Sequence, residues 1–583
     1  MPSVPLNHII VPFLLVLLNL LVETVDSAHV FDAYRLIQFD RNGKPFGSRR
    51  SQVYHMAAPA KIKDIPDPGA DSRRSNEDSS DADSTKEESE GKKKRRSTSE
   101  DLHRKLVVVS MFDVNEAVLN KLIDKRAAAV VLIVLPTDLS MVPSETLMEW
   151  KKIEQTLLAR QFQIPIYFAF DDERLQSMVK NLESGMGSSE PSSSVPNSTD
   201  EPTGTNVRYQ LVAGTSDASL IQKTNIVNMH GWHRGPHFNG LSDLGPIVAI
   251  TANFDTFAVA PGLAVGSDHN GSGTVALLEL ARIFGRLYSE FRTQGEYSIL
   301  FVLTAAGGIK YEGMKAWMKQ NDHRILANIE FVLCLENLAS PSSSLYLHVS
   351  QDPKDQDFMP IINNFEDTAK HMDLPLEVIH TKLNPDKDSP LRWEHEQFAR
   401  KNILTATLCN YRHPQPGKTI YDRMGSIFDR IESVDMKILS RNIKFVMESL
   451  SRLIYSSPEQ HLDIASHSHA VNEKFVESWM SYLGREPRAF PFLSKDSEVV
   501  KELGRVLDTH TVGSKLQASK LQNVYKFYKS STYKTTMTIY KVKPTSFDLL
   551  LGLAVVAYLL ALHCLLKYGS ISAVFTMWKT KKD

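Results

Sequence analysis

Cysteine is scarce, three in 583 residues, which excludes a disulfide framework. Cys334 and Cys409 sit in apolar, strand-like runs, where they could pair or stand as buried free thiols. Net charge is nearly absent too, 67 basic against 68 acidic residues. No global field therefore draws the chain to nucleic acid, and none is expected as a partner. Glycine thins out beyond residue 456, where no motif carries chemistry. What remains is a chain too long for one ordinary domain, with two folded units as the natural expectation.

The two ends carry long apolar runs. Ile9–Val22 has the length of a signal-peptide core, with Val25 and Ser27 small enough for cleavage, so residues 1–27 are expected to be a signal peptide. Leu549–Leu566 is apolar apart from His563, close to the ~20 residues a spanning helix needs. A transmembrane helix over 546–566 and a tail over 567–583 are expected. Lys579 and Lys581 stand fifth and third from the end of the sequence, the pattern of a dilysine signal for retrieval to the endoplasmic reticulum. Together these predict a single-pass type I protein of the endoplasmic reticulum membrane with most of its mass lumenal.

Between the ends, residues 28–63 form an N-terminal lumenal segment. Residues 64–101 collapse into Ser, Asp, Glu, Lys and Arg and cannot bury enough apolar area to offset ordering, so a disordered charged loop is expected. Its run Lys92–Arg96 reads as solvated linker. Strand patterns at 106–110, 127–135 and 164–170 alternate with helical patterns at 115–125 and 144–160, which predicts a small α/β domain over 102–182. Residues 183–205 make a flexible loop holding the glycosylation acceptor Asn197-Ser198-Thr199. A larger α/β domain spans 206–455, and a membrane-proximal region, with helices near 470–483 and 495–507, spans 456–545.

The organising stretch is Pro246–Leu287. An apolar strand ends at Asn253-Phe254-Asp255, and a loop leads into the turn Gly266-Ser267-Asp268-His269-Asn270-Gly271-Ser272-Gly273. A helix follows, with Leu277, Leu280, Ala281, Phe284 and Leu287 at helical spacing. Polar residues gather at the carboxyl end of the strand, where open α/β sheets place ligands. Asn270-Gly271-Ser272 is a second glycosylation acceptor, inside the turn, and is expected to carry a glycan.

This stretch resembles the core of the co-catalytic di-zinc aminopeptidases, the clan that also holds the nicastrin and transferrin-receptor ectodomains. The resemblance implies a peptidase-like, doubly wound mixed sheet with the smaller N-terminal α/β domain and one C-terminal transmembrane helix. It also marks what is missing. Active members read His-x-Asp after the strand; here Asn253 stands for the His, and Asp255 is kept. The bridging carboxylate falls on His269, or on Asp268 by a one-place slip. The paired glutamates, general base and ligand, fall on Gly307 and Gly308. The next Asp falls on Glu336, and the last His on Gly425. One catalytic zinc needs about three protein ligands and an open position. No metal or other cofactor is therefore expected, and the chain reads as a peptidase fold without peptidase activity. The competing reading is a single-metal hydrolase using Asp255, His269 and Glu336.

The block FDTFAVAPGLAVGSDHNGSG, the run FVLCLEN, the WEHE at Trp393–Glu396 and VKPTSFDLLLG are similar to the nicalin branch of the clan over nearly the whole chain. That resemblance implies a non-catalytic lumenal scaffold supporting translocon-linked biogenesis of multi-pass membrane proteins. The implied partners are Nodal modulator, a multi-pass membrane protein and the Sec translocon, with a link to Nodal signalling.

Overall fold

A computed structural model describes residues 29–48, 59–60, 106–123, 130–176, 208–213, 218–240, 243–384, 391–412, 425–457, 463–521, 524–530, 534–542 and 545–568. The expected signal peptide, the charged loop from 64, Asn197, Lys579 and Lys581 lie outside these residues.

The apolar runs read as strands assemble into an eight-stranded mixed sheet. Its middle is parallel: Ile247–Asn253 lies between Ser298–Thr304 and Ile329–Leu335, and Leu404–Cys409 follows beside the last of these. Side chains of Ile247–Asn253 and Ser298–Thr304 are buried on both faces, as continuous apolar runs in a covered parallel sheet should be. The helix Gly273–Tyr288 returns across one face and is buried along nearly its whole length. Cys334 and Cys409 lie on neighbouring strands, both as thiols outside any disulfide.

A second, seven-stranded sheet contains Leu106–Ser110, Val130–Leu135 and Ile166–Phe170 as parallel neighbours. The helices Glu116–Ile123 and Ser144–Ala159 connect them. One hydrophobic cluster runs from Val107, Ile133 and Phe168 in this sheet to Ile250, Phe284 and Leu333 around the larger one. The two units thus share a core.

Residues 456–545 are built into both units. Val512–Lys520 adds antiparallel to Asn225–His233 at the edge of the large sheet. Lys534–Val542 inserts between His29–Arg35 and Arg208–Ala213 in the smaller unit. The segment therefore closes both sheets and is no detached stalk.

The C-terminal helix requires a correction. Residues Thr545–Tyr568 are helical, yet among the described residues no helix is long and apolar enough to cross a membrane. A run that is apolar on every face favours a helix, but apolarity alone does not make that helix a span. The transmembrane helix expected at 546–566, and the single-pass membrane localisation that rested on it, are withdrawn.

Candidate functional site

The strands deliver their last residues to one edge. Asn253 pairs in register with Thr304, and Ala252 with Leu335, just before Glu336. The family's ligand positions therefore do converge; their chemistry has changed.

Asn253 Oδ1 accepts from Thr304 Oγ1 at 2.9 Å, and its carbonyl accepts from Thr274 Oγ1 at 3.1 Å. Asp255 is buried, with Oδ2 accepting the Ala306 N–H at 2.6 Å while Oδ1 has no hydrogen-bond partner. Burial lifts this carboxyl to about 7, against hydrogen bonds from the 306 and 307 amides and the charge of Arg488. In the turn, the Gly271 N–H reaches back five residues to the Gly266 carbonyl at 3.0 Å. Asp429 closes the turn by accepting two successive amides, Asp268 N–H at 2.9 Å and His269 N–H at 2.8 Å. Asp268 Oδ1 accepts the Ala339 N–H at 2.8 Å. Burial, then the neighbouring Asp429, raises the Asp268 carboxyl. His269 Nδ1 lies 3.1 Å from Asn337 Oδ1 and 3.7 Å from Glu336 Oε1.

Of the residues the hydrolase reading requires, His269 and Glu336 come together, while Asp255 is tied to backbone amides. Among the described residues, no three His, Cys, Asp or Glu side chains group so as to hold a metal ion. The lost positions are also sterically closed. A Cβ at Gly307 would lie 2.6 Å from Asn253 Oδ1, and one at Gly425 would lie 1.9 Å from Thr256 Oγ1. Both neighbours are short, buried side chains without slack. The donor set does not fit the zinc pair of the active relatives.

Three charged residues belong to this region without having been given a role from sequence. Glu394 lies beneath the edge, its two oxygens accepting from Thr251 Oγ1 at 3.0 Å and Thr304 Oγ1 at 2.8 Å. Burial lifts it to about 7. Its neighbour His395 bridges Thr407 at 2.7 Å and Ser350 at 3.0 Å. Glu154, from the smaller unit, reaches across to accept from Ser426 Oγ and, at 3.0 Å, from the Ile427 N–H. It is fully buried and lifted to about 7 by that burial. From the other side Arg430 donates to the carbonyls of Pro136 and Thr137, both at 3.3 Å, and its guanidinium covers the Phe170 ring at 4.7 Å. The segment that carries the family's last ligand is here a clasp between units. The third residue, Arg488, has no exposed surface. Glu154 had a signal in sequence, because it shares a helical face with Trp150, Leu157 and Leu158; a charge on an apolar stripe must find a partner.

Asn270 is 5% exposed, and its Nδ2 donates to the Asp255 carbonyl. In the folded chain that nitrogen is spoken for, which opposes the glycan expected from sequence. The peptide around Asn270 should therefore have the same mass before and after enzymatic deglycosylation. A mass shift there would mean the turn is modified before it forms.

A model of peptidase family M28 matches residues 239–448. Over 579 residues the chain is 32% identical to the BOS complex subunit ncln of Danio rerio, covering 95% of this chain and 93% of that protein. It is 30% identical to the BOS complex subunit NCLN of Homo sapiens, covering 99% and 97%. The crystal structure of the gamma-secretase component nicastrin superimposes with a TM-score of 0.55 at 11% identity, covering 88% of this chain and 99% of that one. At that identity the likeness concerns the fold.

Proposed function

This chain belongs to the nicalin family of BOS complex subunits, and from that premise we propose that it is a non-catalytic scaffold subunit of such a complex. The complex is one of the endoplasmic reticulum that supports translocon-linked biogenesis of multi-pass membrane proteins. The observation that carries the reading is steric: the places where active relatives need a glutamate and a histidine are glycines with Asn253 and Thr256 packed against them. A fold kept over the full length while its chemistry is filled in is retained for its surface. Aminopeptidase activity would need at least a ligand set and a base, and the converging residues supply neither.

The proposal extends to partners: Nodal modulator, a multi-pass membrane protein and the Sec translocon. What supports them is kinship with subunits that are named for a complex. Affinity purification of the full chain in mild detergent should return a large partner and a multi-pass partner in stoichiometric amounts. Recovery of the chain alone would defeat the scaffold reading.

A further inference from the structure

Two cavities adjoin where the segment 486–499 meets the loop after the strand Ile247–Asn253, with Pro261 and Phe492 as common walls. The one toward Arg35 and Lys529 is about 30 Å³, room for a single water. The other is about 160 Å³. Ligands of cofactor size need about 300–1,000 Å³, whereas an apolar cavity of about 150 Å³ takes one benzene. The larger cavity is therefore the size of one leucine or phenylalanine side chain. Pro261, Ala489, Phe492, Leu493 and Val499 make its apolar walls, and the exposed Glu486 and Glu498 complete them.

The cavity is preformed. Its loop runs between the helices Glu473–Leu483 and Glu498–His510. Three backbone bonds fix it to the larger unit: Thr256 N–H to the Arg488 carbonyl at 2.9 Å, Arg488 N–H to the Ala264 carbonyl at 2.9 Å, and Phe490 N–H to the Thr256 carbonyl at 2.8 Å. The buried Arg488 side chain adds bonds to the carbonyls of Phe254 and, at 2.9 Å, Gly266. Walls held in this way lose little freedom when they are covered. Its charge is also unspent. Glu502 is paired with Arg505, whereas among the described residues Glu486 and Glu498 are in no ion pair. All three lie near enough to the Tyr482 hydroxyl to add to the upward push of its burial. Arg485, Lys495 and Lys501 are exposed close by in sequence, but none of them lines the cavity. The start of the helix Glu498–His510 contributes roughly half a positive charge, which two carboxylates outweigh.

We propose that this cavity is a docking site for a partner protein: it takes one bulky apolar side chain, while lysines or arginines beside that residue in the partner meet Glu486 and Glu498. Volume selects a single side chain, the walls make it apolar, and the two carboxylates select basic flanks. The inference gives the scaffold a contact surface without resting on the partners proposed above, since its test uses the purified full chain alone.

The probe is a fluorescein-labelled pentapeptide with leucine between two pairs of lysines, titrated against the full chain in mild detergent and read by fluorescence anisotropy. Replacing its leucine by alanine should weaken binding about tenfold, the scale of one anchoring side chain. Replacing its lysines by glutamates should abolish binding. In the protein, Glu486→Gln together with Glu498→Gln should weaken the lysine peptide at least about fivefold and leave the melting temperature in place, since both positions are exposed. Ala489→Leu should fill the cavity and remove the preference for leucine over alanine. If that variant does not fold, the glutamine pair and the alanine peptide still decide. Equal binding of the leucine and alanine peptides overturns the proposal, as does binding that ignores the glutamine changes, or no binding of the leucine peptide at about 1 mM. Self-association of the natural chain that Ala489→Leu abolishes would put a second copy in the cavity and overturn it as well.

Discussion

Restoring the family's ligands destroys stability and returns no peptidase. The triple change Asn253→His, Gly307→Glu and Gly425→His places side chains where a Cβ alone already lies 2.7 Å from the Cγ of residue 253 or 1.9 Å from Thr256 Oγ1. Forcing atoms into a packed interior costs about 1–3 kcal/mol per site. Two such sites together are expected to remove roughly 2–6 kcal/mol, a large part of the ~5–15 kcal/mol that holds a typical domain together. Urea unfolding of each single variant measures the cost, and Gly425→Ala isolates the steric part, since it adds a Cβ and nothing else. Hydrolysis of aminoacyl chromogenic substrates with added zinc measures the gain, expected to be none. A triple variant of natural stability that cleaves such substrates would show the site to be merely emptied and not rebuilt.

Acid should stabilise this chain where many proteins are indifferent. Burial lifts Glu154, Asp255 and Glu394 to about 7 and Asp268 to about 6. A carboxyl whose folded value lies above its unfolded one binds a proton in the fold that the unfolded chain has released. Its contribution is fully present below the unfolded value and is lost as pH rises through the folded one. His230 and His233 act in the opposite sense: burial lowers both to about 4, so their contribution is present at neutral pH and is lost on acidification. Four acids against two histidines leave the acids ahead between about pH 5 and 7. Each group is worth up to about 1.4 kcal/mol per pH unit, so the net fall from about pH 5.5 to 7.5 is on the order of 4 kcal/mol. Urea midpoints across that range give the slope, and Glu154→Gln should flatten it by one group's share. A midpoint that climbs steadily with pH through the window would refute the account.

Much of the frame was legible because local pattern carries it. The strands Leu106–Ser110 and Ile247–Asn253 stand out as apolar runs, and the helix after the turn by its spacing. The degenerate positions were assigned from motif spacing, which survives where chemistry does not. What escaped has one physical cause, distance along the chain. Ser426 is 272 residues from the Glu154 it contacts, and Arg488 lies 234 residues from Phe254. No periodicity links such pairs. The membrane-proximal region escaped for the same reason: Val512–Lys520 has the polar look of an edge strand, and nothing nearby says which sheet it closes. Whether Asn270 carries a glycan is decided by the mass measurement above, since the acceptor pattern carries no information about burial.

The strand His29–Arg35 reaches its partner Lys534–Val542 only across nearly the full chain, from His29 against Ile539 to Tyr34 against Lys534. During synthesis at about 5–20 residues per second, that partner is delivered roughly 25–100 s after the first strand emerges. For that interval the smaller unit has an open edge with unpaired amides and carbonyls, a template for any other strand. Its completion therefore waits on residues 534–542 and not on its own neighbours in the chain. A chain halted before residue 534 has a smaller unit that cannot close, so the open edge of the first strand needs guarding until those residues arrive.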